Sequence, residues 1–249
     1  MKRASFVGRW LIVLSLIVAA VCLATPSLAG DNNPGVFPVD SRPYGLTYGE
    51  WSARHWEWLY SLPVNANPIF DTADVSAGQS GQVWFLGGTF AEQNENGEIV
   101  GRVTRNVTIP PGKALFFPLI DAECSTIEGN GDNEAELRSC AEFDVSFVVP
   151  SSLFCVIDGR SVNDLSGFAV ESPLFTFGPL PDNNVLEDFG VNAPAGSTSP
   201  SVSAGYFVML MPRSVGNHTL HFGGKVDLTP IGGPIFVQDI TYNITVAPR

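Results

Sequence analysis

The sequence predicts a mainly β protein: a single-domain β-sandwich of jelly-roll or immunoglobulin-like type, with one N-terminal amphipathic, tryptophan-rich helix. Three observations carry this expectation. Glycine and proline number 25 and 19 and recur along the whole chain, which argues against a helical bundle and supplies the turns that many short strands need. Hydrophobic residues make up 45% and charged residues 15%, enough apolar material for a core and too little charge for global disorder. Beyond the helix, apolar positions recur with a period close to two.

Residues 1–29 read as a secretory signal peptide: Met1-Lys2-Arg3, an apolar run from Trp10 to Ala24, then small residues around a cut after Ala29. The run is shorter than the roughly 20 residues that span a bilayer, and Pro26 interrupts it. A lipid anchor on Cys22 is disfavoured, because Ala19-Ala20-Val21 lacks a large aliphatic residue followed by small ones. No later stretch reaches spanning length, so the mature chain is expected to be secreted or periplasmic, with no transmembrane segment. Residues 30–45 read as an extended arm, and 46–249 as one domain of helix plus sandwich. The net charge of −12 argues against a nucleic-acid partner, which calls for clustered Lys and Arg.

Thr47-Tyr48-Gly49-Glu50 has capping-box order and predicts a helix from Tyr48 to Ser61, stopped by Pro63. Trp51, His55, Trp58 and Leu62 share one stripe of it, and Trp56 and Tyr60 lie on an adjacent face. Strands are expected at 82–86, 103–109, 114–120, 144–149, 154–157, 167–170, 174–177, 206–211, 217–222 and 235–246. Pro110-Pro111-Gly112-Lys113 reads as a tight turn joining neighbouring strands. Residues 121–139 and 179–204 are expected to be long irregular segments. Of the mature cysteines, Cys155 lies in the apolar run Leu153–Ile157 and reads as a buried small hydrophobe, so a disulfide is expected between Cys124 and Cys140.

The run from Tyr44 to Trp58, Tyr-Gly-Leu-Thr-Tyr-Gly-Glu-Trp-Ser-Ala-Arg-His-Trp-Glu-Trp, with Ser61-Leu62-Pro63 after it, resembles the opening signature of a family of exported bacterial and archaeal proteins of uncharacterised function. Further similarity lies in Gly81–Leu86, Ile109–Pro118 and Gly216–Gly224. The resemblance covers most of the mature chain. It implies export and a shared fold, and carries no catalytic residue across.

Four groups of residues are candidates for chemistry. Trp51, Trp56, Trp58 and Tyr60 offer large flat rings for a carbohydrate or an envelope protein, with packing of the helix on the sheet as the competing reading. Asp121 and Glu123 alternate onto one face at a strand end, as an acid and base pair in a glycosidase would, although surface carboxylates commonly do the same. His55 is a further candidate base, against a packed histidine, and no Gly-x-Ser-x-Gly nucleophile motif is present. Glu128, Asn130, Asp132 and Glu134 are candidate Ca²⁺ ligands on an acidic loop, although Asn133 stands where an EF-hand loop turns on glycine. His218 and His221, three apart in a strand, point to opposite faces and do not suit a shared metal. The expected function is binding of a ligand or partner by an exported β-sandwich. The alternatives are a secreted hydrolase acting on a polysaccharide or similar polymer, and a structural envelope protein.

Overall fold

The computed structural model describes residues 33–70, 75–90 and 93–248. The signal-peptide reading of residues 1–29 and the first residues of the arm lie outside these. The described residues form three α-helices, α1 (Tyr48–Tyr60), α2 (Glu134–Val145) and α3 (Val185–Asp188). Their strands are β1 (Val83–Phe85), β2 (Gln93–Glu95), β3 (Glu98–Ile109), β4 (Ala114–Ser125), β5 (Phe154–Ile157), β6 (Arg160–Ser161), β7 (Ala169–Glu171), β8 (Phe175–Phe177), β9 (Ser199–Leu210), β10 (Gly216–Asp227) and β11 (Ile235–Val246).

The strands build two sheets, one in the order β1–β4–β9–β7 with β8 also on β9, the other in the order β2–β3–β11–β10–β5–β6. Pairing is antiparallel except for β1 with β4 and β3 with β11. Phe117 of β4 meets Phe222 of β10 with ring centroids 4.6 Å apart, and Phe222 stacks on Tyr242 of β11. All three are fully buried, and each such burial stabilises the sandwich by roughly 1.5–3 kcal/mol. Cys155 of β5, opposite Phe222 of β10, is buried in the same core as a free thiol.

Helix α1 covers the other face of the β4–β9 sheet. The Glu50 N–H donates to Thr47 Oγ1 and the Thr47 N–H to Glu50 Oε2, so both halves of the capping box form. Tyr48 and His55 pack on Phe116, which stacks on Phe207 of β9, while Ser52 and Ser203 hydroxyls meet at 3.1 Å. Gly49 permits this close approach, since a β-carbon there would stand 2.2 Å from the Glu171 carbonyl oxygen. The arm is pinned beside it: the Phe37 N–H donates to Met209 O, and Tyr48 Oη donates to Phe37 O.

Several expected elements are corrected. Residues 144–149 form the end of α2 and a turn, with only an isolated bridge from Val148 to Val226. The expected irregular segment 121–139 is strand through Ser125 and helix from Glu134. Asn133 Oδ1 accepts from the Glu136 N–H as an N-cap, and Leu137 and Ala141, four apart, bury one face against Val202 and Ala204. The Cys124–Cys140 disulfide therefore ties strand to helix, with the Cα atoms 6.1 Å apart. Segment 179–204 contains α3 and the start of β9, and 167–170 begins as a 3₁₀ turn. The turn at 110–113 joins strands of different sheets, because turn residues specify a reversal and not the sheet that receives the returning chain.

Candidate functional site

The site is built where β4 changes both register and partner. Leu119 is an extra residue: Pro118 pairs with Phe207, and Ile120 with Tyr206. This bulge reverses the alternation of the strand, so Asp121 and Glu123 face α1, as Phe116 does. Opposite Asp121 stands Gly205, where a β-carbon would lie 2.6 Å from the Asp121 Cα. On the other edge of β4, β1 ends at Phe85 and the chain leaves through Gly87-Gly88. From Pro118 onward that edge has no strand partner among the described residues.

The departing loop is held by Arg105 of β3. Its guanidinium donates to the carbonyls of Pro68, Gly87 and Gly88 and to Tyr242 Oη, so a buried cation is matched by several acceptors. Two adjoining cavities open beside the free edge. The first, of about 400 Å³, lies between α1 (His55, Trp56, Leu59), β4 (Pro118, Ile120, Asp121, Ala122), the end of α2 (Asp144, Val145) and the facing ends of β10 and β11. The second, of about 340 Å³, shares Trp56, Leu59, Phe90 and Asp121 and adds Tyr60, Glu123, Glu128 and α3 with Phe189. Phe90 and Phe189 are half exposed and meet edge to face at 5.2 Å, forming an apolar rim.

Three residues that line these cavities each carry an enclosed polar atom with no hydrogen-bond partner: Asp121 Oδ2, Trp56 Nε1 and His55 Nδ1. Burial pushes the Asp121 carboxyl up to about 7, and the Trp56 indole N–H, without reaching hydrogen-bond geometry, draws it only part of the way back. His55 Nε2–H donates to the Leu86 carbonyl at 3.0 Å, which leaves Nδ1 as an acceptor, and burial holds its pKa at about 4. Glu123 differs from Asp121. Tyr60 Oη donates to its Oε2 at 2.5 Å and Ser201 Oγ to its Oε1, while burial and the neighbouring Glu128 carboxyl raise its pKa well above the ordinary value.

The tryptophans expected to act together separate. Trp58 is buried with its N–H on Ala77 O, and Trp51 donates to Pro43 O; both anchor the helix. Trp56 and Tyr60 line the cavities, their rings 5.4 Å apart. The expected calcium ligands do not gather. Among the described residues the carboxylates of Glu128, Asp132 and Glu134 do not converge at metal-binding spacing. Glu134 pairs with Arg138, Asn130 Oδ1 accepts from the Ser125 N–H, and Glu128 accepts from Ser125 Oγ. Cys124, Cys140 and Asp144 do come together, but the disulfide consumes both thiols. His218 and His221 engage separate carboxylates, Asp158 and Asp239. Sequence reasoning missed Phe90, Asp144, Phe189 and Phe236, which belong to no motif and reach the site only through the fold.

Fold and site together define a β-sandwich with an apolar, carboxyl-floored cleft at the open edge of one sheet. No protein-family model, curated protein or solved structure matches the chain. No helix among the described residues is long and apolar enough to cross a membrane.

Proposed function

We propose that this is an exported protein that binds a small ligand in the cleft between Trp56, Asp121 and the Phe90–Phe189 rim. The observation that carries the reading is the enclosed Asp121 Oδ2, left unpartnered beside an unpartnered Trp56 N–H in a largely apolar cavity. Burying polar atoms in this way costs stability unless something hydrogen-bonds to them, and cavities with few convergent polar groups are the usual form of a ligand site. Export is supported by the signal-peptide reading of residues 1–29 and by the Cys124–Cys140 disulfide, which suits an oxidising compartment. A carbohydrate ring would stack on Trp56, but its many hydroxyls would find few partners beyond Asp121, Asp144, Thr89 and Gln238.

The hydrolase alternative has one specific feature in its favour: burial pushes the Asp121 carboxyl up to about 7, the range that suits a general acid or base. Against it, Glu123 has both oxygens engaged and cannot serve as the second, free carboxylate. A screen of the purified mature protein, reading melting temperature and turnover together, separates the two. Binding predicts compounds that raise the melting temperature without being consumed, and Trp56→Ala is expected to abolish that rise while the unliganded melting temperature stays within a few degrees. Turnover of a polymer, or no stabilising compound in a broad library, would count against the binding reading.

A further inference from the structure

The lining of the cleft narrows the class of ligand, an argument that rests on the binding reading above. Four carboxyls, Asp121, Glu123, Glu128 and Asp144, border the two cavities, and among the described residues neither is lined by a lysine or arginine. The nearest buried cation, Arg105, lies behind the Gly87-Gly88 loop and is occupied by the carbonyls there. Aromatic rings of Trp56, Tyr60, Phe90, Phe189 and Phe236 supply the walls. Three of the carboxyls are engaged or peripheral: Glu123 by Tyr60 and Ser201, Glu128 by Ser125, and Asp144 at the end of α2. Of the four, only Asp121 has an enclosed oxygen without a hydrogen-bond partner.

Negative potential beneath aromatic faces is the chemistry that recognises an ammonium group, which gains from the carboxylate and from the ring quadrupoles together. We infer that the cleft takes an organic cation, an amine or quaternary ammonium on a compact apolar body, with its charge against Asp121 and its body between Trp56 and Phe90. The volume of about 400 Å³ suits a body the size of one ring with a short chain.

This inference sets a pH dependence. The titratable groups around Asp121 are His55 and Tyr60 from α1, Glu123 from its own strand, Glu128 from the loop after β4, and Asp144 from α2. Over the range pH 5 to 8 His55, lowered to about 4, is largely neutral, and Tyr60, raised well above its ordinary value, is neutral. Asp121 must lose its proton to receive a cation. Affinity should therefore rise about tenfold per pH unit up to about 7 and then level off, with about one proton released on binding below that point.

Titration calorimetry with phenethylamine, benzyltrimethylammonium and the neutral comparison phenethyl alcohol tests this. At pH 8 both cations are expected to bind at least tenfold more tightly than the alcohol, and Asp121→Asn to remove that preference. The variant removes a carboxyl whose Oδ2 is enclosed without a partner, so its melting temperature should not fall. Equal affinity for the alcohol, or cation binding unchanged in Asp121→Asn, overturns the cation inference while leaving ligand binding intact. Silence from all three probes alongside hits from the broad library does the same. Silence from the library as well overturns both.

Discussion

Asp121, part-exposed with its Oδ2 enclosed, and the buried His55 are titratable groups whose shifts oppose each other. Asp121 has a folded pKa raised from 3.8 to about 7, so the folded state holds a proton that the unfolded chain loses, and its contribution to stability falls as pH rises through that window. His55 is lowered from 6.5 to about 4, so the unfolded chain takes up the proton first, and its contribution rises with pH over nearly the same window. Glu123, also raised, adds to the falling side. In Asp121→Asn the slope of stability against pH between 4 and 6.5 should therefore become more positive than in the parent. At pH 8 the variant should be more stable by on the order of 2 kcal/mol, because it no longer buries an ionised carboxyl without a partner. Denaturation midpoints measured across pH check both signs, and a variant less stable at pH 8 would mean that Asp121 has a stabilising partner.

At the level of the element, legibility followed local chemistry. The capping box of Thr47 and Glu50 declared α1, and Pro63 its end, because both act within a few residues. Two hairpins carry equally local marks. Asn96-Gly97 joins β2 to β3 and Asp158-Gly159 joins β5 to β6, with positive φ at all four residues. Helix α2 had its signal in Asn133 three before Glu136, obscured by acidic residues that read as a loop. The bulge at Leu119 had none: Ala114 to Ile120 is buried throughout, so no alternation exists for an extra residue to interrupt. The disulfide, by contrast, was legible, since among the mature cysteines only Cys155 stands within an unbroken apolar run, Leu153–Ile157. Replacing Cys124 and Cys140 by serine should cost about 3 kcal/mol on the chain-entropy model. Because Cys140 sits on α2, amide exchange should accelerate there more than in α1. Equal acceleration in both helices would show that the cross-link acts only on the unfolded chain.

For the whole molecule, the two-sheet architecture was readable and the pairing between distant strands was not. β3 lies parallel to β11 from the Ile99–Phe236 pair to the Ile109–Val246 pair, and nothing within either strand identifies the other. The site shared that limit. Trp56, Tyr60, Asp121 and Glu123 were legible as residue types at suggestive spacings, but the cavity that unites them depends on where β1 stops, where the loop after Leu86 turns away and how α2 and α3 fold back. Arg105 and Tyr242 show how far the dependence reaches: one sheet supplies the side chains that hold the loop leaving the other.

The buried Cys155 also bears on how this molecule fails. In the native core its thiol is pushed up to about 12 by burial and cannot attack the Cys124–Cys140 bond. Once the chain unfolds, that thiol returns to its ordinary acidity beside an intact disulfide on the same chain, and exchange between them scrambles the cross-link. Unfolding at mildly alkaline pH should thus be a one-way event, with a recovered fraction that falls the longer the chain is held unfolded. Cys155→Ser is expected to restore recovery at every holding time. Loss that persists in the variant would place the irreversible step in aggregation instead of thiol chemistry. A residue that packs like a small aliphatic side chain during life would then determine whether the protein, once melted, can return.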